Sequence, residues 1–451
     1  VKIKIIFSID WEVCFTEYQM KFQILVFSIF LFQVITFNTV SAQNTETYYE
    51  DMSFKTEDFI YDPYIKTVRL YPNQNPSQTA QLEQPIVPLS QRIPLILTFD
   101  ELASDARVYK AKIIRCESDW TESTLPTMEY LSVYNDFLIR DYDFSINTKV
   151  PFVHYKFEIP KVKISGNYVV KVFFEDEKNL ILTKRFMVFE EKTSIGFEQI
   201  PSVGGESSLF YQQFKLSVNY TGVSGVVNPN TQFEVVVRQN YRWQNAIYDL
   251  QPTFVKDFQK TLEFSSLSES QRFLGSNEFR LFDIRTQRKF GWGVDSVRYQ
   301  NNADHVFLQP EKSRANLAYG TRLEDFNGQF YIENSQRAEQ SETEADYAYV
   351  NFVLKSQKLN NDVYVIGGLT DWKINPLFKM QYVNRGGYYT AEVLLKQGIY
   401  NYFYTTLNDK KEIDYSPLEN NYRQTENAYD VFIYYRPMSS RTDYLVGYRK
   451  I

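Results

Sequence analysis

Large apolar or aromatic residues alternate with charged ones along much of this chain, and that alternation limits its fold more than any other feature. Within residues 152–159, Val153, Tyr155, Phe157 and Ile159 share one side of an extended strand, while His154, Lys156 and Glu158 share the other. Such a strand has one apolar face that must be covered and one polar face that reads as wet. The pattern recurs: Thr67, Arg69 and Tyr71 alternate with Val68 and Leu70, and a short apolar run at 95–99 lies between Pro94 and Asp100-Glu101. Residues 168–174 and 181–189 repeat the style. Tyr 35, Phe 36 and Trp 5 make 17% of the residues, and these types fit half-buried pleated surfaces. No long amphipathic helix stands out beyond residue 42, so the expected fold is mainly β.

The first 42 residues call for separate treatment. Met20-Lys21 opens the apolar run Phe22 to Phe37, which ends at Val40-Ser41-Ala42. One positive charge, an apolar stretch and small residues at the last and third-last positions are what a signal peptidase reads, so cleavage is expected after Ala42. Residues 1–19 precede this signal and read as an over-extended start; residues 20–42 are the signal peptide. Their removal deletes three basic and three acidic residues and Cys14, leaving the net charge at −6 and Cys116 without a disulfide partner.

The remaining chain divides by turn chemistry and composition. A polar arm, 43–58, leads into a β-sandwich at 59–190 with a long loop at 117–148. A middle β domain, 195–335, begins with the turn-rich Pro201-Ser202-Val203-Gly204-Gly205. A linker rich in Glu, Gln and Ser, Asn334 to Glu344, precedes a third sandwich at 345–436, where strands at 8–12-residue spacing are broken by Gly367-Gly368 and Gly386-Gly387. Residues 437–451 read as a tail. The expectation is three tandem immunoglobulin-like or early-set β-sandwich domains.

Several function classes are disfavoured at once. Lys+Arg 49 against Asp+Glu 55, with no basic block, argues against nucleic-acid binding. Two His and two Cys leave little for metal or nucleophile chemistry, and no G-x-S-x-G, Walker A, H-E-x-x-H or C-x-x-C motif occurs. His154 reads as a surface or boundary residue and His305 as a turn residue. No catalytic residue, metal or cofactor is expected. A loop of about 32 residues between two convincing strands is longer than ordinary connections and points to function. Its aromatics Trp120, Tyr130, Tyr134, Phe137, Tyr142 and Phe144 are therefore candidate partner contacts.

Two resemblances add to this reading. The run Asp362 to Trp372, with Tyr388 to Tyr404, resembles early-set sandwiches of the glycogen-binding type. Of their aromatic platform only Trp372 is matched, and Thr405-Thr406 replaces the usual Asp-Gly, so Trp372 joins the contact candidates. The run Ala111-Lys112-Ile113-Ile114-Arg115-Cys116-Glu117-Ser118-Asp119-Trp120 is followed by Tyr134-Asn135-Asp136-Phe137, Tyr142 to Thr148 and His154 to Pro160. Together with Asn277-Glu278-Phe279-Arg280 and Leu395-Lys396-Gln397-Gly398, it resembles the plug proteins of the type IX secretion system, from about Asp58 to Arg436. That resemblance implies a periplasmic protein, not itself membrane-spanning, whose partners are the outer-membrane translocon β-barrel and its associated subunits. It implies reversible closure of the barrel's periplasmic opening while no substrate is in transit. The alternatives are an integral outer-membrane β-barrel and a periplasmic carbohydrate-binding protein.

Overall fold

The computed structural model describes residues 48–49 and 51–451, apart from 74–77, 91–92, 203–204, 266–270, 287–290 and 321–323. The expected start region and signal peptide, 1–42, and most of the arm lie outside the described residues. Of the unit ending at Asp51, Tyr48 and Tyr49 form an edge-to-face pair with ring centres 5.1 Å apart. Met52–Ile451 forms the second unit and is mainly β.

The alternating strands of this second unit assemble first into a sandwich. One sheet runs Phe59–Ile60, Leu180–Phe189, Gly166–Phe174, Tyr109–Cys116 and Phe137–Ile139, with Ile86–Pro88 added in parallel. The other runs Ile65–Pro72, Leu95–Glu101, Val153–Glu158 and Asp141–Phe144. Their apolar faces meet around Leu97, Phe99, Tyr109, Ile113, Tyr155 and Val170, all fully buried. Phe99 stacks on Tyr155 at 4.9 Å, and Tyr109 meets both edge-on. Thr67 takes a left-handed φ of 53°, and the register slips between Lys66 and Arg69. This bulge changes the strand's parity, so that Ile65 and Val68 both face inward.

The second sandwich is not closed by its own neighbourhood. Ser194–Pro201, Tyr211–Asn219, Thr261–Phe264 and Phe254–Lys256 form one sheet, with Arg272–Leu274 beside Tyr211–Asn219. The facing sheet is Arg242–Ile247, Phe233–Gln239, Tyr429–Tyr435 and Tyr444–Lys450. The last two strands therefore come from the end of the chain and include the segment expected to be a tail. Conversely, Arg280–Asp283, Ala303–Leu308 and Phe330–Ile332 pair with strands of the C-terminal region, and Val294–Gln300 pairs with Ala303–Leu308, in an 11-stranded sheet built around Gly398–Leu407 and Tyr347–Lys355. This strand pairing crosses the partition expected at 335–345. The physical reason is coverage: Phe233–Gln239 and Arg242–Ile247 are too few to bury the opposing sheet, and Tyr429–Tyr435, buried on both faces, completes the layer.

The polar face of Val153–Glu158 also differs from expectation. His154 is buried, because this face is covered by the C-terminal sheet. Asp100, fully buried, binds His154 Nδ1 at 2.6 Å, and accepts from Tyr347 Oη and Lys396 Nζ, each at 2.7 Å. Burial by itself would raise the Asp100 carboxyl, but Lys396 and His154 more than offset it and hold its pKa below the usual value. Burial lowers Lys396, opposed by Asp100. Nearby, Asp346 accepts from the amides of Lys149 and Val150 at 2.9 and 3.2 Å. His305 lies within the strand Ala303–Leu308 rather than in a turn, stacked on Tyr349 and 3.0 Å from Glu392.

Removing one partner of the Asp100–Lys396 pair strands a charge in the interior. Lys396→Met is expected to lower unfolding free energy by about 3–5 kcal/mol in urea titrations. Asp100→Asn combined with Lys396→Met should cost clearly less than the sum of the single changes. Additive losses would show that the two groups are not coupled.

Candidate docking surface

The segment 117–148 joins the two sheets of the first sandwich, and it is structured rather than a free loop. After Tyr109–Cys116 the chain turns back through a bridge between Cys116 and Glu122, with Trp120 in the left-handed region at φ 68°. A single helical turn, Thr127–Tyr130, follows, and a second bridge joins Leu131 to Val162. The Asn135 side chain then acts as a short stretch of extra strand. Its amide donates to Ile113 C=O and its oxygen accepts from Ile113 N–H, both at 2.8 Å. Phe137–Ile139 extends one sheet and Asp141–Phe144 extends the other, so Arg140 marks the step between layers at the sandwich's open rim.

This construction sorts the candidate aromatics into interior and surface. Trp120 is 3% exposed; it meets Trp243 edge-on at 5.0 Å, and the Arg185 guanidinium lies over its ring at 4.1 Å. Tyr130 is buried, and its hydroxyl donates to Ile113 C=O at 3.2 Å. Trp372 is 5% exposed, with Phe279 edge-on at 5.6 Å. Gly328, at φ +82°, lies so close that an added Cβ would collide with Trp372 Cη2. A ring so enclosed presents no platform to a sugar. By contrast, Tyr134 is 84% exposed, Phe144 49% and Tyr142 38%, and Phe137 is half-buried against Phe157. The structure brings Tyr142 and Phe144 together, with ring centres 5.8 Å apart.

Sequence reading missed other members of this surface. Met128, Val133, Leu138 and Ile146 are all exposed, giving one short stretch an unusual share of the chain's bare apolar side chains. The charge is equally uneven. Residues 117–148 hold seven acids against Arg140 alone, a net −6 that equals the net charge of the whole sequence. The signal was available in a windowed charge count, although Asp141 and Asp143 look unremarkable among 55 acids.

Behind the rim, the start of the segment forms one wall of an open cleft of about 970 Å³. Glu117, Asp119, Glu122, Glu234, Asp249 and Asp443 line it, with Arg436 and Arg441 as the cations. Arg436 Nε donates to Asp443 at 2.7 Å. Burial raises Glu234; burial would raise Asp443 as well, but its bonds to Arg436 and Ser118 hold it low. The Cys116 thiol is buried and pushed up to about 12 by desolvation, so it is a poor nucleophile. No group of three or more His, Cys, Asp or Glu placed to hold a metal occurs among the described residues.

Residues 117–148 lie within a segment that matches a known family model. Residues 65–190 match the model of the type 9 secretion system plug protein first domain. A crystal structure of a hypothetical protein from Parabacteroides merdae is similar over 88% of this chain and 100% of its own length, at 28% identity and a TM-score of 0.81. No curated protein matches.

The sorting into interior and surface is testable by stability. Trp120→Ala should cost about 3–5 kcal/mol, as large-to-small core changes do, while Tyr134→Ser should stay within about 0.5 kcal/mol of the parent. Urea unfolding followed by far-ultraviolet circular dichroism measures both. A neutral Trp120→Ala would contradict the interior placement.

Proposed function

We propose that this chain, whose residues 65–190 belong to the family of type 9 secretion system plug first domains, is a periplasmic plug. On this reading it docks reversibly on the outer-membrane translocon barrel and its associated subunits, and closes the periplasmic opening while no substrate passes. A wide barrel leaves an aqueous lumen unless something covers or fills it. The observation that carries the reading is the exposed apolar and acidic rim, which lies inside the family-matched sandwich on a scaffold of paired strands. Closure must be reversible, because a permanent seal would stop export; contacts of modest area that bind only the closed arrangement suit that requirement. The reading assigns no chemical step to the protein.

The alternatives find less support. An integral barrel turns apolar side chains outward to lipid, whereas here the paired sheets turn them inward onto cores such as Leu97, Tyr155 and Val170. Sugar binding at the C-terminal unit would need an accessible Trp372, and that ring is enclosed by Gly328, Phe279 and Phe403.

Tagged protein added to detergent-solubilised outer membranes should recover a large β-barrel, identified by mass spectrometry. Cells lacking the protein should become more permeable to large hydrophilic antibiotics. Recovery of no such barrel from cells that make one would overturn the docking, and unchanged permeability would count against the seal.

A further inference from the structure

The strand Asp141–Phe144 is an outer strand of its sheet, paired among the described residues only with Val153–Glu158. The direction of its free backbone groups follows from one hydrogen bond. Ser145 N–H donates inward to Phe152 C=O at 2.9 Å. Since alternate residues of an antiparallel strand point to opposite sides, Asp141 and Asp143 also face the partner strand, and Tyr142, Phe144 and Ile146 face outward. Ile146 N–H confirms the direction by donating to Thr343 C=O at 3.0 Å, an acceptor supplied by the helical turn Ser341–Glu344. This edge therefore already takes one backbone partner from elsewhere in the chain. The next outward amides, Tyr142 and Phe144, find no backbone acceptor among the described residues, and both residues are exposed.

We propose that this edge binds an extended, basic segment of a partner protein by backbone strand addition, continuing toward Phe144 and Tyr142 the pairing that Thr343 begins at Ile146. The inference deepens the proposed function, on which the partner is the outer-membrane barrel or one of its subunits. Strand addition supplies affinity through main-chain hydrogen bonds and specificity through alternate side chains. Tyr142 and Phe144 share one face of the strand, with Tyr142 5.9 Å from the core residue Tyr155. Apolar side chains of the incoming segment would cover these two rings. Asp141 and Asp143 share the opposite face and make no ion pair among the described residues, so Lys or Arg side chains of the segment would lie against them.

Charge selects this occupant over a second copy of the chain. Pairing the edge with itself would bring Asp141 and Asp143 toward their own counterparts within a segment of net −6. Exposed edges are commonly guarded by charge against self-association. Here the guard is acidic, which repels the protein's own kind and attracts a basic strand.

The test uses a synthetic seven-residue peptide of alternating Lys and Val as a probe on the full chain, with fluorescence anisotropy and amide exchange as readouts. Expected are saturable binding that weakens with salt, slowed exchange at Tyr142 and Phe144, and no binding of the alternating Glu and Val peptide. Phe144→Pro removes an outward N–H while sparing the inward ladder, and Asp141→Asn with Asp143→Asn removes the charge. Each should weaken binding about tenfold or more, with urea midpoints near the parent's. Absence of peptide binding, equal binding of the acidic peptide, or protection confined to residues lining the cleft would each overturn the inference. Peptide binding lost in Phe144→Pro, without capture of any barrel, would uphold the edge and overturn the plug reading.

Discussion

The architecture depends on one strand that is buried on both faces. Tyr429, Val431, Ile433 and Tyr435 enter the core of the second sandwich, while Phe432 and Tyr434 enter the cluster that holds Trp120, Val169 and Met187 of the first. Its neighbour Phe233–Gln239 divides in the same way, with Val235 and Val237 on one side and Val236 on the other. A single sheet thus serves as cover for two sets of apolar residues. The pair is fixed in register by Arg238 and Asp430, opposite one another and both buried, with guanidinium and carboxylate 2.7 Å apart. Breaking that pairing would uncover two apolar surfaces at once, which is a stronger constraint than any single side chain imposes.

The consequence for the docking surface is positional rigidity. Arg115, 1% exposed, leaves the first sandwich to bond Thr442 Oγ1 at 3.1 Å, and Glu117 accepts from Asp443 N–H at 2.8 Å. On the other flank, Lys149 and Val150 are held by Asp346. The acidic rim is therefore clamped before and behind by the C-terminal part of the chain, and its middle, from Met128 to Ile146, carries the exposed apolar side chains. A surface held this way binds without first paying to order a loop.

Much of the fold was legible because alternation is a local signal: the strands of the first sandwich and the regular strands after Tyr347 follow from period two alone. What the sequence could not disclose was coverage from a distance. His154 sits on the polar face of its strand, yet it is buried because Tyr347 and Lys396 arrive above Asp100 from another sheet. Trp120 and Tyr134 are equally aromatic and lie in one segment, but the first meets Trp243 and the second meets solvent. Local pattern splits the last strands, 429–450, between the third sandwich and a tail, because nothing local says which sheet lacks a layer. The segment 117–148 was identifiable as unusual from length and aromatic content; which of its residues face outward was set by packing with strands far along the chain.

The concentration of charge has a further physical consequence. Residues 117–148 carry a net charge equal to that of the whole sequence, so the remainder sums to zero and the net charge of the molecule is that of this segment. At physiological ionic strength the screening length is about 8 Å, shorter than a sandwich of two sheets packed about 10 Å apart. The field therefore acts on a basic partner only near the rim and not from the opposite side of the protein. Such a field favours encounters in one orientation, and it leaves the apolar and backbone groups at that rim to hold the complex once the charges have met.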